Sequence, residues 1–362
     1  MKQRSSLGRL LRLAVYLVLV AAGILLAFYV LPATVRYRVT ERYLLDAGRA
    51  GVPVHLGVIV PKTGPYQSVS RVGIKWDGFA SQEPRDEVDL VRLDAVTPED
   101  GRLQATLQYD VTLWQGPARW MAPVEAADLA PQDEIESDDP LLAGQAAQLA
   151  AAPTRQGAYA LYQFTAGHLD WPSGSRVGGD QSALAAYQSG VGVCGEFANL
   201  MTALCRAAAI PARSITGLAF PPMPPFLSST ATWSHPAGSH AWVEVYSGEE
   251  WEMADPSRAS RLPFDRLWFG RSDGMHLSYG ESGAHARLLR EVQDWAAAGS
   301  EVVAAMSAPL RFVASAQVGD VSVEPSATVY KGWDGRWMGM LGWLVGSVLV
   351  FSWIERRVRR RV

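Results

Sequence analysis

Two apolar runs lie near the ends of the chain. Residues 13–31 (LAVYLVLVAAGILLAFYVL) and 337–354 (WMGMLGWLVGSVLVFSWI) contain no charged side chain. A helix needs about 20 apolar residues to cross a bilayer core, so each run predicts a membrane-spanning helix. Between them the pattern changes twice. In residues 34–130, the segments 52–60 and 103–114 alternate or run with β-branched and aromatic side chains. Turn signals at 62–65, 76–78 and 99–101 break them up, which predicts a β-rich domain, a small sandwich or similar. An acidic stretch bounded by Pro131 and Pro140 follows. It lacks the glycine and alternation of a calcium loop and reads as a solvated linker at a domain boundary.

Beyond that boundary the period becomes helical. Residues 141–168 and 181–188 read as helices, and so does 190–210, where Leu200, Leu204 and Ala208 recur at helical spacing. Strands are expected at 212–220, 239–245 and 251–255, the last stopped by Pro256. A proline-rich insertion at 220–236 separates the first two. Residues 141–282 thus form an α+β domain. Residues 283–336 form a C-terminal extension, helical at 284–305 with a β element at 311–329.

Charge sets the topology. Lys2, Arg4, Arg9 and Arg12 precede the first run; Arg356, Arg357, Arg359, Arg360 and Arg361 follow the second, whose tryptophans suit an aromatic belt. Basic flanks favour the cytoplasm, which makes 1–12 and 355–362 cytoplasmic and places 33–336 on the extracytoplasmic side of a cell membrane. Arg36, Arg38 and Arg42 weaken the N-terminal signal. The alternatives are a cleaved signal peptide and a buried C-terminal helix. The first run exceeds the usual h-region of roughly 7–15 residues and no small-x-small cleavage site follows. The net charge of -3, with no basic stripe in the middle of the chain, gives no electrostatic case for nucleic acid.

There are 2 cysteines, Cys194 and Cys205. On one helix they lie about 16 Å apart, beyond the roughly 7 Å that a disulfide tolerates. Cys205 reads as a small buried apolar residue. Cys194 sits at a helix start, where unpaired N–H groups and the helix dipole favour thiolate. His240 opens the second strand and Asp255 ends the third, an arrangement of nucleophile, base and orienting group. The plain alternative is a buried Cys, a strand-end His and a capping Asp with no common task. His235 lies near enough in sequence to compete for the base role, and His240 is preferred because it opens the strand. Glu196 in the first helical turn suits the dipole. His55, alone in a strand, reads as structural. No metal ligand set and no cofactor motif stand out.

The blocks Gly192-Val193-Cys194-Gly195-Glu196-Phe197-Ala198, Ile210-Pro211-Ala212-Arg213, His240-Ala241-Trp242-Val243-Glu244-Val245 and Asp255-Pro256 resemble the transglutaminase-like superfamily, whose fold is related to papain-like cysteine proteases. The segments Trp268-Phe269-Gly270 and Asp273-Gly274 are similar to one that often follows that core. The resemblance implies a transglutaminase-like core after the β-rich domain and a Cys194, His240, Asp255 triad, without saying which acyl compound is attacked; a protein or peptide substrate is expected. The backbone N–H of Cys194 is the natural first oxyanion donor. By resemblance to animal transglutaminases, Trp171 is a candidate second donor; by its papain-like offset, Gln188 is another. Bland roles compete for both, Trp171 in the core and Gln188 in a turn. Hydrolysis, as in a cysteine protease, is expected over amine-transferring cross-linking. A non-catalytic peptide-binding or scaffolding module is the alternative of a different class.

Overall fold

A computed structural model describes residues 13–23, 32–77, 79–80, 90–172, 182–221, 229–234, 239–259, 269–282, 303–307, 322–332 and 336–359. Outside these lie the expected N-terminal tail 1–12, residues 24–31 of the first apolar run, His235, Trp268 and most of the 220–236 insertion. Residues 283–302 of the extension also lie outside.

Helix α1 covers residues 13–23. The strands β1 (Ala33–Asp46), β2 (Pro53–Ile59), β3 (Gln67–Asp77), β4 (Phe79–Ala80), β5 (Leu90–Val96), β6 (Arg102–Pro117) and β7 (Arg119–Trp120) follow. Helices α2 (Pro140–Leu149), α3 (Arg155–His168), α4 (Ala183–Ser189) and α5 (Cys194–Ala207) come next. The chain then runs through β8 (Ala212–Ala219), β9 (Ser229–Ser234), β10 (Ser239–Tyr246) and β11 (Trp251–Ala254) to the one-turn α6 (Pro256–Ala259). It continues with β12 (Arg271–Asp273), β13 (His276–Glu281), β14 (Val303–Ser307), β15 (Ser322–Lys331) and α7 (Arg336–Arg359).

The first sheet has the order β12-β6-β1-β15-β9, with β3 also on β6. Its two long central strands alternate buried and exposed positions, as expected for residues 103–114. Val35, Tyr37, Val39, Tyr43 and Leu45 of β1, and Leu103, Leu107, Tyr109, Val111 and Leu113 of β6, are buried. One inward position of β1 is Glu41, also buried. It accepts hydrogen bonds from the Tyr43, Tyr109 and Tyr279 hydroxyls, which satisfy a carboxyl group whose pKa burial raises. This sheet crosses the linear divisions expected from sequence, because β9, β12 and β15 all come from beyond residue 130. A smaller sheet of order β14-β2-β5-β4 flanks it. There β14 runs parallel to β2 from Val303↔Val54 to Ser307↔Val58, so residues 303–305 are strand where a helix is expected. Pairing with a neighbouring strand outweighs local helical propensity.

The second main sheet, β13-β8-β10-β11-β7, carries the Cys194 helix on one face. Phe197, Ala198, Leu200, Met201, Ala203, Leu204 and Cys205 of α5 are fully buried. They pack with Leu142, Leu161, Tyr162 and Ala186 of α2–α4 and with Val243 and Val245 of β10. Cys205 lies within this cluster as a packing residue, while Asn199, Thr202 and Arg206 of the same helix are buried with hydrogen-bond partners. Residues 131–140 are not a solvated linker. Ile135 enters this core, Asp139 caps α2, Glu136 accepts from Ser182 and the Leu184 N–H, and Glu134 accepts from Asn199 at 3.4 Å.

Buried polar ties hold the sheets in register. Glu252 on β11 is 2% exposed and receives Arg119 at 2.7 Å and Arg155 of α3 at 2.8 Å. Trp242 on β10 donates its indole N–H to the Tyr66 hydroxyl at 3.1 Å, and Tyr66 donates to Glu244 at 2.9 Å.

α1 packs on α7. The Tyr16 and Phe351 ring centroids are 4.6 Å apart, and Gly23 lies against the Trp343 indole. Among the described residues no helix is long and apolar enough to cross a membrane.

Glu244 gives a pH dependence of stability. Burial raises its pKa to about 7 against the pull of Tyr66 and Arg213. A carboxyl group whose folded pKa is raised binds more protons folded than unfolded, so the fold loses stability as pH rises from about 4.5 through about 7. A shift of this size corresponds to at most about 3–4 kcal/mol. Glu244→Gln keeps an acceptor for Tyr66 and removes the titration. Urea unfolding at pH 5 and pH 8 should show a smaller loss of stability in the variant; an unchanged loss would contradict the assignment.

Candidate active site

Cys194 is the first residue of α5. The turn before it is set by two backbone bonds: the Asp170 N–H donates to Gly190 O at 2.8 Å, and the Gly192 N–H donates to Asp170 O at 3.1 Å. A Cβ on Gly192 would lie 2.6 Å from Glu196 Cβ, so glycine is needed for the chain to enter the helix this closely. Glu196, in the first turn, accepts the Val193 N–H at 3.0 Å and satisfies one of the donors at the helix start. Its side chain caps the helix instead of facing the thiol.

His240 lies on β10 opposite Gly217 of β8. A Cβ at position 217 would be 2.0 Å from Leu277 O and 2.6 Å from Trp242 Cη2, so a glycine here lets β8 pass between β10 and β13. Trp242 packs beside the imidazole, with ring centroids 6.0 Å apart. Asp255 follows β11, whose Ala254 is paired with Val243. Register therefore carries Asp255 to the histidine: His240 Nε2 is 2.8 Å from Asp255 Oδ2. The other carboxylate oxygen accepts from Ser257 Oγ at 2.7 Å and the Arg258 N–H at 3.1 Å. The structure thus brings His240 and Asp255 into hydrogen-bond contact, and His240 acts on the Cys194 thiol, drawing its pKa down.

The electrostatics follow from that chain. Burial pushes the Cys194 thiol up, but the His240 hydrogen bond and charge, with the Ala241 backbone, outweigh it and hold the thiol below its usual value. Burial opposes charge on His240 too, yet the charge and hydrogen bond of Asp255, and then Cys194, raise its pKa to about 10. Asp255 stays well below the usual carboxylate range against burial, chiefly through the His240 charge. Both shifts favour the thiolate–imidazolium form of the pair. Cys205 shows the contrast: burial with no such partner pushes its thiol up to about 12.

Trp171 follows Asp170 directly and its ring stacks toward Phe197, with centroids 6.3 Å apart. It is 39% exposed, and so is not the core residue of the bland reading. Gln188 is exposed near the end of α4 and stands outside the Cys194–His240–Asp255 chain. One residue escaped the sequence reading. His276 of β13 places Nε2 3.1 Å from Asp255 Oδ2, on the same oxygen as His240. Its signal was a histidine three residues after Asp273 at the start of a strand, with no motif to mark it. His240, Asp255 and His276 have donor atoms within 4.8 Å of one another. The spacing fits hydrogen bonds between a carboxylate and two imidazoles, as the 2.8 and 3.1 Å contacts show.

Residues 142–256 match the profile of the transglutaminase-like superfamily. This stretch carries a transglutaminase-like α+β domain. No curated protein matches the chain. Among the similar solved structures are these two. A candidate cysteine protease from Cytophaga hutchinsonii shares 18% identity over 83% of this chain and 92% of that one, with a TM-score of 0.49. The periplasmic domain of TgpA from Pseudomonas aeruginosa, bound to ethylmercury, shares 18% identity over 65% of this chain and 93% of that one, with a TM-score of 0.33.

Proposed function

We propose that the protein is a membrane-anchored thiol enzyme that hydrolyses peptide or carboxamide bonds through Cys194, His240 and Asp255. One observation carries the reading: the pKa of a thiol at the N-terminus of α5 is drawn down by an imidazole that Asp255 holds at 2.8 Å. The Cys194 thiolate attacks the carbonyl carbon of the substrate and the oxygen takes the negative charge. The Cys194 backbone N–H faces that oxyanion, with Trp171 as the preferred second donor and Gln188 as the less favoured one. The His240 imidazolium gives its proton to the departing amine, leaving a thioester on Cys194. Neutral His240 then takes a proton from water as the water attacks the thioester, and the acid product leaves with the thiolate–imidazolium pair restored. Asp255 fixes the imidazole and balances its charge throughout.

Hydrolysis is preferred over cross-linking because water needs no seat of its own, whereas an acceptor amine does. An unstructured peptide pool offered to the full chain should leave an acyl adduct on Cys194 after acid quenching, read by mass spectrometry. Cleavage should fall at least about a thousand-fold in Cys194→Ala. Products that carry an added primary amine would replace hydrolysis by transfer. An inert Cys194 with no adduct would favour the binding-module reading.

The anchoring rests on the two apolar runs and their basic flanks. Leu17, Val18 and Leu19 of α1 and Leu344, Val345, Leu349 and Trp353 of α7 are exposed, a surface suited to lipid. Residues 33–336 then lie outside the cytoplasm, where a protein or peptide substrate is met. A reporter fused near Gln132 should be active only as an extracytoplasmic fusion; cytoplasmic activity there would contradict the topology.

A further inference from the structure

His276 is a buried imidazole that the reaction scheme above does not use. It is 2% exposed and lies with its ring centroid 5.0 Å from that of His240. Its Nε2 meets Asp255 Oδ2 at 3.1 Å and its Nδ1 meets Asp273 Oδ1 at 2.9 Å. Asp273 in turn pairs with Arg258 of α6 and accepts the Met275 N–H. The groups therefore alternate along one line: Cys194, His240, Asp255, His276, Asp273, Arg258.

A carboxylate needs its accepting directions filled if it is to keep one orientation. Three donors to Asp255 come from β10 and α6: His240, Ser257 and the Arg258 N–H. Without His276, Oδ2 would be held by His240 alone, the group that Asp255 is meant to orient. Each ring nitrogen of His276 faces a carboxylate oxygen, so an N–H on Nε2 donates to Asp255 and an N–H on Nδ1 donates to Asp273. Burial and the His240 charge push the His276 pKa down to about 4, against the pull of Asp255 toward the charged ring.

We propose that His276 is a positioning residue that pins Asp255 Oδ2 from β13, anchored behind by Asp273 and Arg258, so that Asp255 can orient His240. This rests on the thiol-enzyme reading. It predicts a particular pattern of rescue. Glutamine places its amide donor where His276 Nε2 stands, whereas leucine fills the space without a donor. The groups that set the His240 charge are Cys194 of α5, Asp255 before α6 and His276 of β13. Those around His276 are Asp255, Asp273 of β12, Arg258 of α6 and His240 of β10. Losing the donor to Asp255 makes that carboxylate a stronger base, so it raises the His240 pKa further while freeing its orientation.

The experiment is the pH profile of kcat and of Cys194 alkylation in the full chain, for the unaltered protein, His276→Gln and His276→Leu. In His276→Leu, kcat should fall about ten- to a hundred-fold, the range of an outer hydrogen-bond partner. KM should hold, and the basic limb of the profile should move to higher pH. His276→Gln should restore both. An unaltered profile in His276→Leu would overturn the proposal. So would equal defects in the Gln and Leu variants with unfolding midpoints like that of the unaltered chain. If His276→Leu does not fold, the side-chain nitrogen-15 shifts of the unaltered protein decide: a proton on His276 Nε2 supports the role, and a bare Nε2 overturns it. A free-thiol profile for Cys194 in the unaltered chain would instead sink the enzyme reading, and the nitrogen-15 result would still judge His276.

Discussion

A carboxylate as buried as Asp255 stays ionised only where cations and donors replace the water it has lost. Four donors do so here: His240 and His276 on one oxygen, Ser257 and the Arg258 N–H on the other. The rest of the site depends on that ionised group. It raises His240 to about 10, and the charged His240 in turn lowers Cys194 against the cost of burial. Cys205 is a thiol on the same helix without this support, and burial takes it the other way. The fold thus shifts the two thiols of one continuous helix in opposite directions by what stands opposite each.

The surrounding architecture keeps those positions fixed. Register between β8, β10 and β11 brings His240 and Asp255 to the same end of the sheet, and Gly217 permits the close pass of β8. Below the site, Trp242, Tyr66 and Glu244 form a hydrogen-bonded ladder from β10 to the segment preceding β3. Tyr279 of β13 reaches Glu41 in the first sheet, and Tyr37 donates to Gly274 O at 2.8 Å beside β12. Buried groups that would be costly alone are therefore used as ties between the two main sheets.

Much of the site was legible because its signals are local. A glycine-flanked cysteine before a helical period, a histidine opening one strand and an aspartate closing the next can all be read from spacing. His276 was not, because its partnership with Asp255 depends on β13 adding to β8, a contact between strands with no fixed sequence separation. The same limit explains the β-rich region. Alternation marked residues 103–114, and β6 runs there, but no local pattern shows that β15 would pair with β1 along Tyr37↔Lys331 to Asp46↔Ser322. Residues 131–140 misled for a related reason. Their acidic side chains suggested solvent, while the structure spends them on capping α2 and bonding Ser182 and Asn199, with Ile135 turned inward.

The central claim is that His240 and Asp255 make a poised thiolate of Cys194. The pH dependence of Cys194 alkylation by iodoacetamide, in the unaltered chain and in His240→Ala, tests it most directly. The account predicts an apparent thiol pKa well below the free value of about 8.5, and a rise above that value once His240 is gone and burial acts unopposed. Two profiles that both follow a free thiol, or a Cys194 that does not react in either protein, would contradict it.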